Sequence, residues 1–270
     1  VKRTVALLYN RWKPGVPDAV RSLTRMLSRR YRMICSPSQP EVRLAPGIDA
    51  AVTLGGDGTM LSVADMLVRR ALPVLGVNMG GMGYLAEFGV REVPGALAAF
   101  FAGNLTASRR AVLQVSWPGG RRYAVNDCVV RSAGPKILRV DVRVDDEYLE
   151  DIIGDGVIVA TSTGSTAYSL ACGGGVVEPG VRVLLLTPIS PHALTQRPMI
   201  LSADRRLSLE IPAFKPDTGA ALVIDGQIPL ELRQGARVDV RLASKDLLFI
   251  ANPQAGFFTI LKRKLTWGKR

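Results

Sequence analysis

The chain has 270 residues, 47% of them hydrophobic, and a formal charge of +12. That much apolar material supplies the core of one large or two modest domains and excludes disorder by composition. No apolar run approaches the roughly 18–20 residues of a membrane span, and the opening VKRTVALLYN turns polar too soon for a signal peptide, so a cytoplasmic protein is expected. In chain order, residues 4–9 (TVALLY) read as a buried strand, and 16–30 as a helix with Val20, Leu23 and Leu27 on one face. Residues 50–54 give a second strand, 59–70 a second helix, 73–77 a third strand leading into NMGGMG, and 92–101 another helix. Strands alternating with helices predict a Rossmann-like parallel sheet covered on both faces, an α/β domain over residues 1–105.

Beyond Asn104 the pattern changes. AVLQVSW, RYAVNDCVV, ILRVDVRV, GVIVAT, RVLLL, RLSLEI, ALVID and RVDVRL read as short strands, several alternating polar with apolar residues. WPGGR and Asp145-Asp146-Glu147 mark hairpin turns. The expectation is an all-β sandwich over 106–250, with one helix at 165–171 and a C-terminal segment, 251–270, whose helical stretch 257–267 returns to the first domain.

Three scattered cysteines, Cys35, Cys128 and Cys172, include no CxxC pair, so neither a zinc site nor a disulfide framework is indicated. The lone His192 excludes a His-rich metal cluster, and it reads as a hydrogen-bonded structural residue. Basic residues are spread, with small clusters at Arg29-Arg30, Arg109-Arg110 and Lys262-Arg263-Lys264. This suits an anionic partner, nucleic acid or a polyphosphorylated small molecule, with plain solubility as the alternative; the absence of a long basic block disfavours a nucleic-acid tail. Arg110, Lys136 and Arg197 are candidates for the positive field.

VTLGGDGTML, at 52–61, carries the chemistry. Between a strand and a helix, Gly55, Gly56 and Gly58 let a phosphate approach the main chain, and Thr59 can cap the helix or donate its hydroxyl. Asp57 would repel that phosphate. The conflict resolves if Asp57 accepts a proton from an attacking hydroxyl while the amides hold the phosphoryl group, with Mg²⁺ offsetting charge. The plain alternative is a tight turn with an Asx cap. Neither GxxxxGK[ST] nor GxGxxG is present.

GVNMGGMGYLAEF (76–88), AVND (124–127), GDGVIVATSTGSTAYSLACGG (154–174), SPHALTQRPMIL (190–201), VIDGQ (223–227) and the C-terminal FFTILKRKLTWGKR complete a pattern. From about residue 50 onward, the chain resembles the NAD kinases. GGDGT alone is similar to diacylglycerol, sphingosine and phosphofructokinase relatives; the TSTGSTAYS block is more specific. The resemblance implies an α/β domain and a β-sandwich domain with the substrate in a cleft between them. It implies phosphoryl transfer from ATP or polyphosphate to the 2′-hydroxyl of the adenosine ribose of NAD. Asp57 would be the base, and Gly55, Gly56, Gly58 and Thr59 would shape the donor site. NAD would be held by Asp57, Gly58, Asn126, Asp127, Lys136, Asp155, Asp225, Gln227 and the run Thr166, Ala167, Tyr168, Ser169, Leu170 and Ala171. Asp225 would also assist at the reaction centre.

Asp127 stands where the family has Glu, Ala171 where it has Ser, and Ser162 where it has Pro. The resemblance further implies a divalent metal, Mg²⁺, with the donor, and a homodimer or homotetramer. Tyr168 offers a flat face to a base, and Thr161, Thr163, Ser165 and Thr166 form a hydroxyl-dense loop, either a helix-cap cluster or a dinucleotide cradle. With the resemblance, the cradle is expected. Two other readings are a related kinase acting on a lipid or sugar hydroxyl, and a non-catalytic dinucleotide-binding regulator.

Overall fold

The structure is a computed structural model that describes residues 2–39, 42–80, 83–212, 219–227 and 229–266. Part of the NMGGMG loop (Gly81, Met82) and the end of the expected C-terminal helix, Trp267, lie outside the described residues. The elements run β1 (Thr4–Tyr9), α1 (Val16–Leu27), β2 (Arg32–Pro37), β3 (Ala50–Gly55), α2 (Asp57–Leu61), α3 (Ala64–Arg69), β4 (Val74–Asn78) and α4 (Val93–Phe101). Next come β5 (Ala107–Trp117), β6 (Gly120–Ala124), β7 (Asp127–Ser132), β8 (Leu138–Val144), β9 (Glu147–Gly154) and β10 (Gly156–Ala160). A 3₁₀ turn (Thr163–Thr166) leads to α5 (Tyr168–Ala171), then β11 (Val183–Ile189), β12 (Met199–Ser202), β13 (Arg206–Glu210), β14 (Ala220–Ile224), β15 (Leu230–Leu232), β16 (Arg237–Ile250) and α6 (Phe257–Leu265). The chain divides into two compact units, 1–109 with 247–270, and 110–246.

The first unit is a parallel sheet in the order β2-β1-β3-β4, extended where Phe249 pairs beside Val74. Its strands read as continuous apolar runs because both faces are covered. Val5, Leu7, Val52 and Leu54 meet Ala19, Leu23 and Leu27 of α1 in one core. Helix α1 starts from Gly15, which takes φ 76°, with Pro in its first turn. It stops at Leu27, short of the expected residue 30, and passes into a turn in which the Arg30 amide makes a tighter i→i−3 bond to the Leu27 carbonyl (2.9 Å). The expected helix over 59–70 is two helices. The Ser62 hydroxyl bonds the Thr59 carbonyl (2.8 Å), competing with the main-chain ladder where α2 ends. Strand β2 carries no local signal, since it is a half-exposed sheet edge.

From β1 the chain passes through α1 to β2 on one side, whereas β3 and β4 extend the sheet on the other. The carboxyl ends of β1 and β3 therefore form a topological switch point, where open α/β sheets bind ligands. In the middle of β4, Gly76 permits close backbone approach. A β-carbon there would stand 2.1 Å from the Leu85 carbonyl oxygen and 2.9 Å from Ala86 Cα. The loop is also tied by the Phe88 amide to the Gly76 carbonyl (3.1 Å).

The second unit contains a six-stranded antiparallel sheet, β12-β11-β10-β7-β14-β15. Facing it are β16-β13-β8-β9 and the β5–β6 hairpin. Val130, Val157, Leu184 and Leu222 of the first sheet share a core with Val140, Ile152, Leu209 and Val238 of the other, as a sandwich requires. The Asp145-Asp146 hairpin has positive φ at both residues, 50° and 74°, matching the right-handed strand twist. The expected helix at 165–171 is instead the 3₁₀ turn followed by the single turn of α5.

The run RYAVNDCVV, read as one strand, breaks between β6 and β7. Asp225, held at φ 50°, draws the local amides away from the ladder: Val125 (2.8 Å) donates to one carboxylate oxygen, Asn126 (2.7 Å) and Asp127 (3.1 Å) to the other. The Asp225 amide returns to the Asp127 carbonyl at 2.9 Å.

Two predictions follow from these packings. Gly76→Ala should displace the 85–86 backbone and cost about 1–3 kcal/mol in urea unfolding, the usual cost of overpacking; unchanged stability would mean that the loop yields freely. The second concerns pH. Burial pushes Asp127 to about 6 and Asp225 to about 7, with the three amides pulling Asp225 the other way. Both folded values lie above the unfolded carboxylate value of about 4. The folded state thus retains protons that the unfolded chain has released, and this contribution is lost as pH rises from about 4 toward 7. Relative to Asp127→Asn, the wild type should lose on the order of 2–3 kcal/mol between pH 4 and 6. A pH-independent difference in unfolding free energy between the two proteins would contradict the assignment to Asp127.

Candidate functional site

In the first unit, β3 is buried along its whole length and delivers the chain to Gly55 and Gly56, at φ 156° and 155°, which a side chain rarely adopts. A β-carbon on Gly55 would meet Thr59 Oγ1 at 2.2 Å. Thr59 is thus buried packing for the turn and does not cap the helix: α2 begins at Asp57, Gly56 is the N-cap, and no side chain caps it. Gly58 has open space at its α-carbon, and Gly56 meets only Lys13 Nζ, 3.4 Å from where its β-carbon would be. The open side of the turn is therefore formed by Gly56 and Gly58, with Gly55 closed.

Asp57 opens α2, and its carboxylate reaches into the loop beyond β4. Oδ2 accepts the Tyr84 amide (2.9 Å), and Oδ1 accepts those of Leu85 (3.0 Å) and Ala86 (2.8 Å). Such charge-assisted bonds fix the orientation of the carboxylate. Gly83 makes room for it, since a β-carbon there would stand 2.0 Å from Asp57 Oδ1. Helix α6 supplies a cation: Lys264 Nζ lies 3.9 Å from Asp57 Oδ2 and 4.6 Å from the centre of the Tyr84 ring. Phe257 of α6 meets that same ring at 6.3 Å between centroids. The return of the C-terminal helix to the first unit rests on these contacts.

Among the described residues, no three His, Cys, Asp or Glu side chains converge in a way that could hold a metal ion. Asp57, the acid at the turn, is already committed to amides and a lysine. Among the described residues a protein-held Mg²⁺ would thus find no cluster of acids to coordinate it.

In the second unit, Asp155 and Tyr168 share a pocket of about 310 Å³, with Arg131, Ser132 and the main chain at Gly134 and Pro135 on its wall. Tyr168 keeps 40% of its surface exposed there, and desolvation pushes its phenol above the usual value. No local signal marks Arg131; it arrives because β7 pairs with β10, placing it opposite Gly156. Lys136 is exposed on the adjoining loop, where its carbonyl accepts the Ser132 hydroxyl (2.5 Å).

The hydroxyl-dense loop is turned inward. Thr161 Oγ1 donates to the Val125 carbonyl (2.6 Å) and accepts the Gly164 amide (3.0 Å). Ser165 Oγ bonds the carbonyls of Ser162 (2.7 Å) and Val177 (3.1 Å). Thr166 Oγ1 bonds the Thr163 carbonyl at 3.3 Å. Ser169, fully buried, pairs its hydroxyl with that of Thr187 at 2.8 Å. Of the expected cradle of Thr161, Thr163, Ser165 and Thr166, the hydroxyls of Thr161, Ser165 and Thr166 thus strap the loop to its own main chain and to its neighbours. Gly164 brings it so close to β7 that a β-carbon would stand 2.0 Å from the Asn126 carbonyl oxygen. Of this loop's hydroxyls, only Thr163 Oγ1 is buried with no partner among the described residues. Around Tyr168, Thr166, Ala167 and Leu170 are half-buried and Ala171 is exposed.

Asn126 is half-buried and Asp127 buried, side by side at the start of β7. Asp225, expected at the reaction centre, is 6% exposed with both oxygens committed to main-chain amides, so it braces Asn126 and Asp127. The Gln227 side chain donates to the Asp225 carbonyl at 3.0 Å. Arg197 spends its guanidinium on the carbonyls of Leu194 and Gln196, within its own loop, and His192 is exposed rather than structural.

Comparison with known proteins agrees over both units. The ATP-NAD kinase N-terminal domain family matches residues 41–105, and the ATP-NAD kinase C-terminal domain family matches 125–252. The chain is 34% identical to the NAD kinase of Geotalea daltonii over 242 residues, covering 87% of this chain and 84% of that protein. With the NAD kinase of Heliobacterium modesticaldum it shares 35% identity over 284 residues, 98% of this chain and 99% of the relative. Yeast NADH kinase complexed with NADH superimposes with a TM-score of 0.87 at 25% identity, covering all of this chain and 89% of that one. An NAD kinase from Archaeoglobus fulgidus in complex with ATP gives 0.79 at 26% identity, covering 96% and 98%. A turn built around Asp57 and a strand start braced by Asp225 thus lie in a chain that belongs to the NAD kinase family and phosphorylates NAD.

Proposed function

We propose that the chain transfers the terminal phosphoryl group of ATP or polyphosphate to the 2′-hydroxyl of the adenosine ribose of NAD, giving NADP, with Asp57 as proton acceptor. The observation that carries this reading is the fixed carboxylate of Asp57 beside a glycine turn whose Gly56 and Gly58 stand open. The hydroxyl oxygen forms a bond to the terminal phosphorus, the bond from phosphorus to the bridging oxygen breaks, and the hydroxyl proton passes to Asp57. Little covalent work is asked of the protein: it aligns the partners and balances charge. A carboxylate already fixed by main-chain amides needs no reorganisation as the proton arrives. Mg²⁺ would enter on the phosphates of the donor, which suits its preference for phosphate and water ligands over a protein cage.

ATP as donor is supported by the Archaeoglobus relative, described in complex with ATP, and a dinucleotide acceptor by the yeast relative complexed with NADH. The shared pocket favours Asp155 and Tyr168 as dinucleotide contacts of the second unit, and Asp225 ties Asn126, Asp127 and Gln227 to one another. A homodimer or homotetramer in the cytoplasm is the setting proposed, and three unbridged thiols fit a reducing compartment.

Asp57→Asn should lower turnover by about 10²–10⁴-fold, the usual range for losing a general base, while NAD binding by calorimetry persists. Near-wild-type NADP formation would reduce Asp57 to a loop tie. Tyr168→Ala should weaken NAD binding up to about tenfold, the value of one aromatic contact, and leave the KM of the donor in place. An unchanged NAD affinity would take Tyr168 out of the site.

A further inference from the structure

We infer that Lys13 binds the phosphoanhydride chain of the phosphoryl donor, an assignment that rests on the phosphoryl-transfer reading above and adds a residue to it. Lys13 lies in the loop after β1, at the sheet's switch point, facing the glycine turn that follows β3. The loop is folded onto that turn by main-chain bonds. The Asn10 amide donates to the Leu54 carbonyl (3.1 Å), the Lys13 amide to Asn10 (3.2 Å), and the Val16 amide to Lys13 (3.2 Å). Asn10 Oδ1 takes the Trp12 amide at 3.0 Å. These bonds hold Lys13 half-buried with its ammonium on the Gly55 carbonyl and against the bare α-carbon of Gly56.

The chemistry explains why a cation belongs there. An ammonium has three donors, and the Gly55 carbonyl takes one. The neighbouring Arg11 stacks its guanidinium over the Trp12 ring at 4.5 Å, facing an aromatic instead of the turn. A polyphosphate brought to Gly56 and Gly58 meets the negative charge of Asp57. Lys13 on one side of the turn and Lys264 on the other put positive charge around that acid. The repulsion apparent in the sequence is thereby offset by the chain's own residues. Gly56 contributes by what it lacks: a β-carbon would intrude at 3.4 Å from the ammonium, where a phosphate oxygen must fit. The ligand is thus recognised by its phosphates, a feature that ATP and inorganic tripolyphosphate share.

The test compares wild type, Lys13→Met and Lys13→Arg in NADP formation with ATP and with inorganic tripolyphosphate, and measures NAD affinity by calorimetry. Lys13→Met should raise the KM of both donors about tenfold or more, the value of one charge-assisted phosphate contact, with Lys13→Arg recovering most of the loss and NAD affinity constant. Amine acetylation of the wild type, read by mass spectrometry, should be slowed at Lys13 by tripolyphosphate and not by NAD; this arm needs no variant to fold. A wild type that forms NADP while Lys13→Met keeps its donor KM would overturn the inference. So would a change confined to ATP, or acetylation of Lys13 that ignores tripolyphosphate. A wild type that forms no NADP from either donor would sink the phosphoryl-transfer reading instead, and the acetylation result would still decide whether Lys13 holds phosphate.

Discussion

The carboxylate of Asp57, held by the amides of Tyr84, Leu85 and Ala86, joins the end of one strand to the loop that follows the next. Neighbouring requirements derive from that junction. Gly83 must lack a side chain so that the carboxylate can enter, and Gly76 must lack one so that the loop can lie on β4. Gly55 must lack one because Thr59 fills the space inside the turn. Three of the chain's glycines thus serve a single acid. A buried amide without an acceptor costs about 1–3 kcal/mol, so removing the carboxylate would disturb fold and chemistry together, and activity must be judged against stability.

The second unit solves the same problem in the same way. Asp225 collects three amides at the start of β7, as Asp57 collects three beyond β4. The difference is exposure. Asp57 keeps 27% of its side chain accessible, whereas Asp225 is almost sealed. One such carboxylate is open to a partner from outside the chain; the other touches only its neighbours. That contrast in access, more than residue type, is what fits Asp57 for the role proposed for it and leaves Asp225 a brace.

Strands such as β1, β3, β4, β8 and β13 were legible because buried strands are apolar runs and half-exposed ones alternate, whereas β2, β9, β12 and β15 were not. GGDGT was legible because glycines around one acid are rare without a purpose. The break at Val125-Asn126 was not, since the acid that causes it lies 99 residues from Asn126 in sequence. Hydroxyl direction was equally hidden: Thr161 and Ser165 are polar by composition, and only packing shows that they bond inward. Lys13 looks like an ordinary residue of a proline-glycine turn until the order β2-β1-β3-β4 puts its loop beside the glycines. Arg131 required the β7–β10 register in the same sense.

The parallel sheet is not encoded by a continuous piece of chain. Its added residue Phe249, and the helix that carries Lys264, come after the whole of the sandwich unit. The sandwich, by contrast, is one uninterrupted stretch. Distant pairings of this kind are slow to close when the intervening chain is loose. The lysine neighbour of Asp57 comes from a segment that the chain supplies only after the whole of the sandwich unit, so one ion pair of the glycine turn ties the two ends of the sequence together.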